Sequence, residues 1–354
     1  MMVSVSAETQ TIHNPYEYPI LPGTSEWAEL ESFPEMIEAC QIPENILNKM
    51  STEALVETVL NYPLLGLYPV YKAQEIYSVY SDIFNGVEEM ENRDDAGKVL
   101  LDKYSAETES GVTTFSNEIS VDKSSFCEIF LSQSVFTEDL DDEELLQLDE
   151  LLNKKMEQTQ TLPLYYRMKG DISTLSLDSD LQNIYYDPTV ITYNAVLYTP
   201  KYSKVTATQY GSDMPASTKT KYKNLFTKYF PNATLKQEAC AYYNCHSYAW
   251  HSTSSTNKYW INDPSIYMSS TDGSYRGITV GSTTRPAQYT RVFYNKPGLA
   301  KDHSALVMGH AGGTGINQII CYSKWGQGGV YQHRLQYCPY YYNDTDMSFW
   351  IRNT

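Results

Sequence analysis

Cysteine is scarce: 354 residues contain six, at 40, 127, 240, 245, 321 and 338. That density is too low for a disulfide scaffold, and no two of them form a Cys-x-x-Cys pair, so most are read as buried packing residues. The six histidines never join the cysteines in the close ligand pairs of a structural zinc site, which removes that class. No stretch reaches the roughly 18 apolar residues needed to span a bilayer, so no integral membrane segment is expected. Runs of lysine or arginine are also absent, and with them the usual footprint of a nucleic-acid groove. There is no internal repeat and no low-complexity linker.

What is present is unevenly distributed. Residues 1–180 carry 35 Asp plus Glu against 10 Lys plus Arg, a net of −25, whereas residues 181–354 carry 8 against 16, a net of +8. Tyrosine follows the same division, with 22 of 32 in the second half, a composition suited to polar or glycan-rich ligands. The diffuse positive field fits either attraction to a polyanionic matrix or complementarity to the acidic half; the latter predicts that the acidic half docks on the basic one. The length is too great for one ordinary core and predicts two domains. The opening MMVSVSAETQ turns polar after Val5-Ser6-Ala7, like the cleavage end of a signal peptide, so residues 1–24 are read as an export-signal remnant and an N-terminal arm of a longer, exported precursor.

Apolar residues at spacings of three and four predict an acidic helical domain over 25–162. In STEALVETVLNYP, Ser51 caps, Leu55, Val56, Val59 and Leu60 form the buried stripe, and Pro63 stops the helix. Further helices are predicted near 71–91, 93–104, 125–136 and 139–158. The acidic run at the start of the last one reads as charge at a helix amino terminus. After Pro163 the composition turns to Tyr, Thr and Val in alternation. Residues 163–234 are read as a β-rich connection, with two strands joined by a turn at Lys201-Tyr202 and a helix at 217–229.

The string YYNCHSYAWHS places Cys245 after a helix-capping Asn244, where a first-turn thiol is activated by the helix and by a nearby imidazole. Downstream, TRVFYN reads as one strand, DHSALVMGH as a second strand opened by His303, and INQIICYSKWG as a third. Cysteine on a helix followed by histidine at the head of a strand in a meander resembles the NlpC-like and CHAP-like cell-wall peptidases and amidases, which are papain-like cysteine hydrolases. The strings NCHSYAW and SKWG also resemble those of secreted Gram-positive proteins. The resemblance covers roughly 235–335. It implies an α+β architecture, with a papain-like domain over 235–354 whose nucleophile helix packs on an antiparallel sheet. Asn-Cys-His-Ser stands here where the NlpC-like pattern has Asp-Cys-Ser-Gly, and no Tyr-x-x-Gly-Gly stretch precedes it, which leaves the substrate open.

The expected catalytic set is Cys245 as nucleophile, His303 as base and Ser323 as the group that orients His303, with Gln327 and His333 as alternatives to Ser323. The Ser323 assignment assumes a turn centred on Gly313, which makes 303 and 323 cross-strand partners on one face. Tyr243, His246 and Trp325 are read as substrate-binding residues lining the cleft, and Trp250 as core. The tyrosines at 340–342 read as packed strand or as a glycan-contacting edge. The expected function is a secreted cysteine hydrolase of peptidoglycan amide bonds that needs no metal or cofactor. The alternatives are a peptidase or acyl transferase acting on protein substrates, and a non-catalytic surface binding module on the same fold.

Overall fold

A computed structural model describes residues 10–71, 75–109, 123–159, 162–169, 192–296 and 302–353. Helices occupy the first half. The Ser51 hydroxyl accepts the Ala54 N–H at 3.3 Å and opens Thr52–Leu60, whose Leu55, Val56, Val59 and Leu60 are buried. Pro63 then starts a tighter 3-10 turn, Pro63–Val70. The acidic run is a cap: Asp141 Oδ1 accepts the N–H groups of Glu143 and Glu144, and the Glu144 carboxylate accepts the Asp141 N–H, which starts the helix Asp142–Thr159. Within the span expected as one helix over 71–91, the described residues form two, Ile76–Ile83 and Asn85–Glu91. The break is Phe84, extended at φ −133° and ψ 114°. It is fixed by cross-bonds from Gln41 to the Asn85 N–H and from the Asn85 side chain to both backbone groups of Ile42.

Among the described residues, strands fill the second half in two antiparallel sheets. In the first, β1 (Thr192–Tyr198) and β2 (Lys204–Tyr210) form the expected hairpin, with Tyr202 at φ 66° in the turn, and β4 (Tyr259–Trp260) pairs with β2. Between β2 and β3 (Thr234–Gln237) lies the helix Ala216–Tyr229. The larger sheet adds β5 (Tyr275–Ile278), β6 (Arg291–Asn295), β7 (Asp302–His310), β8 (Ile319–Lys324), β9 (Val330–Arg334) and β10 (Met347–Arg352), in the order β3-β9-β8-β7-β6-β10-β5.

Strict alternation divides the large sheet between two cores. Val292, Tyr294, Ala305, Val307 and Cys321 face the helical region, in one core continuous with Trp27, Phe33 and Leu55. Phe293, Leu306, Tyr322 and Val330 face the opposite way, onto Tyr248, Trp250 and the small sheet. The acidic and basic halves do meet, but the contact is largely aromatic rather than electrostatic. Trp27 lies edge-on to Tyr229 and donates its N–H to the Tyr229 carbonyl at 2.8 Å; Phe33 packs on Phe230 and Tyr342; and the Tyr229 hydroxyl donates to the Pro63 carbonyl at 2.8 Å. Lys296 and Asp82 add an ion pair. Each such ring removed from water is worth about 1.5–3 kcal/mol, more than a typical exposed pair of charges gives. No described helix is long and apolar enough to cross a membrane.

Candidate active site

The segment leading to Cys245 is held at one peptide group. Lys324 donates to the Cys240 carbonyl at 3.0 Å, and Asp213 accepts the Ala241 N–H at 2.9 Å, so a cation and an anion grip opposite sides of the same peptide plane. Lys324 is fully buried and donates also to the carbonyls of Gly326 and Gly328, which uses all three ammonium protons. Burial pulls its pKa down to about 8, against the pull of the Cys240, Cys245 and Asp213 charges. Asn244 anchors the next step: its side-chain oxygen accepts the N–H groups of Ser247 and Ile261, and its amide donates to the Ile261 carbonyl at 2.6 Å. The short helical segment 245–251 that follows is π-helical from Ser247 to His251.

Cys245 lies near the start of β7, with His303 of that strand and His246 of its own helical segment beside its sulfur. Its side chain is 8 % exposed. Burial opposes ionisation of the thiol, yet the charges and hydrogen-bonding reach of His246 and His303 outweigh it and hold the pKa well below the ordinary value of 9.0. Cys40 shows what burial does alone, pushed up to about 12, and burial is likewise the largest cause that raises Cys338 to about 12.

The two imidazoles are held differently. His246 Nδ1 lies 2.8 Å from Ser304 Oγ, which also accepts the Trp250 indole N–H at 2.8 Å, and His246 Nε2 is 3.8 Å from Asp302 Oδ1. Burial would lower its pKa; the Cys245 and Asp302 charges reverse that and raise it to about 9. His303 is 0 % exposed, and neither of its ring nitrogens has a hydrogen-bond partner of good geometry. The ring lies close enough to bias the Cys245 sulfur without an aligned bond, an arrangement common before substrate draws such bonds tight. It is stacked on Tyr340, with centroids 4.0 Å apart and planes 4° apart.

The remaining expected residues fall elsewhere. The chain turns later than a centre at Gly313 requires, because residues 316–318 form a 3-10 turn and the β7–β8 ladder carries an irregularity between Val307 and Gly309. Leu306 therefore pairs with Tyr322, and continuing that register puts Ser323 opposite Ala305. The two-residue shift keeps Ser323 on the His303 face, but its hydroxyl is bound to His333 Nε2 at 2.8 Å and to the Trp325 indole N–H at 3.0 Å. Ser323 thus orients His333 instead of His303. Trp325 is a core residue, 0 % exposed, packed against Tyr331 and Phe230 rather than walling a groove. Tyr243 is also interior: its hydroxyl bonds Gln237 at 2.5 Å and its ring lies under the Lys324 ammonium. Gln327 contributes its backbone carbonyl to the Cys240 N–H. Trp250 is buried against Tyr267 and Tyr275, as core. Tyr340–Tyr342 lie outside any strand, between the large sheet and the helical region.

Three residues at the site went unread in the sequence: Asp302, Ser304 and Lys324. Alternation along DHS already sets Asp302 and Ser304 on the face opposite His303, and a lysine inside the apolar run IICYSKW is itself a signal. Tyr340 was read only as part of the 340–342 run, as packed strand or a glycan-contacting edge, and not as a neighbour of His303. Comparison with protein-family models, curated proteins and solved structures finds no match to this chain.

Proposed function

We propose that this protein is an exported cysteine hydrolase of papain-like type that cleaves amide bonds of peptidoglycan, in the stem peptide or between peptide and sugar. The observation that carries the reading is Cys245, a buried thiol whose pKa is lowered between His246 and His303 while other buried cysteines are raised. A purely structural thiol has no use for that environment; a nucleophile requires it. Two features agree with the papain-like resemblance: the cysteine precedes the histidine in the chain, and the histidine opens a strand of an antiparallel meander.

In the proposed reaction the Cys245 thiolate attacks the amide carbonyl, and the carbonyl electrons move to oxygen. Collapse of that intermediate breaks the C–N bond as His303 gives its proton to the departing amine, leaving a thioester. Water then attacks the thioester while His303 takes its proton back, and the acid leaves as the thiolate is restored. His303 suits the proton transfers because its ring reaches the Cys245 sulfur while neither nitrogen is held in a well-aligned bond to another group. His246, tied to Ser304 and facing Asp302, suits the part of a fixed cation that keeps the sulfur ionised. The Cys245 backbone N–H is the proposed oxyanion donor.

The test is incubation with purified peptidoglycan and with model peptides, followed by mass spectrometry of the products. The reading expects new amine and carboxylate ends from the wall polymer, lost by about a thousandfold or more in Cys245→Ala. Intact polymer with cleaved model peptides would move the substrate to proteins. No turnover of either, together with an unreactive Cys245, would leave a binding module.

A further inference from the structure

We infer that Tyr340 is the positioning residue for His303, and that the helical region sets the orientation of this base through it; the inference rests on His303 being the proton carrier for Cys245. An imidazole in an active site is ordinarily fixed by a hydrogen bond from its second nitrogen. His303 has none: both nitrogens are buried and without a well-aligned partner. What meets the ring is the parallel face of Tyr340 at 4.0 Å, with Tyr294 tilted beside it at 5.6 Å. Stacking fixes the plane of the imidazole and leaves both nitrogens free to carry a proton, which a hydrogen-bonded orienting group would not.

Tyr340 is itself fixed from outside the sheet. Its hydroxyl donates to the Val70 carbonyl at 2.7 Å, and its ring meets the edge of Tyr71 at 6.1 Å and 82°. Val70 is the last residue of the Pro63–Val70 turn, so this turn of the helical half ends in a carbonyl that holds the tyrosine that holds the base. The same bond occupies the hydroxyl proton, so Tyr340 is not the proton donor. It acts through His303.

The experiment follows the rate of Cys245 alkylation by iodoacetamide against pH, by mass spectrometry of the full chain, in the wild type, His303→Gln, Tyr340→Leu and Tyr340→Phe. Melting curves confirm that each variant is folded. This readout needs no substrate, and an altered fold elsewhere would not move the thiol's pH profile. At pH 5 we expect His303→Gln to slow alkylation about tenfold, Tyr340→Leu to match it, and Tyr340→Phe, which keeps the ring and loses the tether, to slow it about threefold. Should the leucine variant fail to fold, Tyr340→Met takes its place as the variant without a ring. Tyr340 variants that react at the wild-type rate while His303→Gln is slowed would overturn the inference, as would a His303→Gln variant at the wild-type rate. A phenylalanine variant at the wild-type rate with a slowed leucine variant keeps the stack and removes the tether from the helical half. A wild type unreactive at pH 5 contradicts the nucleophile reading itself and takes this inference with it, a result seen in the parent protein and not as a difference between variants.

Discussion

The molecule contains the same three-residue arrangement twice, once on each face of its large sheet. On one face the Trp250 indole N–H and His246 meet at Ser304; on the other the Trp325 indole N–H and His333 meet at Ser323. The serine hydroxyls, the indoles and the burial are alike, yet one imidazole is raised to about 9 and the other is lowered to about 3. The difference lies at the second nitrogen. His333 Nδ1 meets the Arg334 carbonyl at 2.8 Å. A carbonyl only accepts, so Nδ1 carries the proton, Nε2 is bare, and Ser323 donates to it. Burial keeps that ring neutral, and the His303 charge reinforces the effect. His246 instead faces the Asp302 carboxylate and the Cys245 sulfur. With both nitrogens protonated it donates to Ser304, reversing the serine bond. Where no anion meets a buried imidazole it stays neutral; where anions meet it, it becomes a cation.

Removing each histidine should break the symmetry furthest. His246→Gln strips a cation from beside the thiolate and is expected to lower kcat/KM on the wall polymer about a hundredfold, near 2.7 kcal/mol, whereas His333→Gln should leave turnover within about twofold. Equal losses would show that the two arrangements share one role. The His333 change should appear in stability instead. At neutral pH it leaves Ser323 without its acceptor and is expected to cost about 1–2 kcal/mol in denaturant unfolding. Because the folded pKa of His333 lies below the ordinary value of 6.5, its contribution is complete above 6.5 and drains away as pH falls toward about 3. The gap between wild type and His333→Gln should therefore narrow on acidification, and a constant gap would refute the assignment of a neutral ring. The smallest effect is expected from Asp302→Asn, which keeps the shape and removes one of the two anions at His246. Imidazole NMR should find His246 titrating below about 9, and Cys245 alkylation at pH 5 should slow about threefold. An unmoved titration would assign the whole shift to Cys245.

That Cys245 and His303 meet was legible because their signals are local: a capping asparagine before a thiol, and a histidine opening an alternating strand. The helices Thr52–Leu60, Asp142–Thr159 and Ala216–Tyr229 were legible for the same reason, through caps and apolar spacing. Ser323 was misassigned because register depends on the length of a turn, and a 3-10 turn with a ladder irregularity moved it by two residues while preserving its face. Phe84 breaks a helix that spacing alone continues, because Gln41 and Asn85 bond across some forty positions. Tyr340 is further still from local pattern. Its role depends on a carbonyl 270 residues away, and the charge imbalance between the halves gave no hint that aromatic rings join them.

The central claim is that Cys245 is a thiolate at neutral pH, and ultraviolet thiolate absorbance of the wild type against Cys245→Ala tests it most directly, because absorbance does not depend on access to a buried sulfur. The account predicts that at pH 6–7 the wild type exceeds the variant by the absorbance of one thiolate, a difference that persists to acid pH and is diminished in His246→Gln. Spectra that coincide until pH approaches the ordinary thiol value near 9 would contradict it.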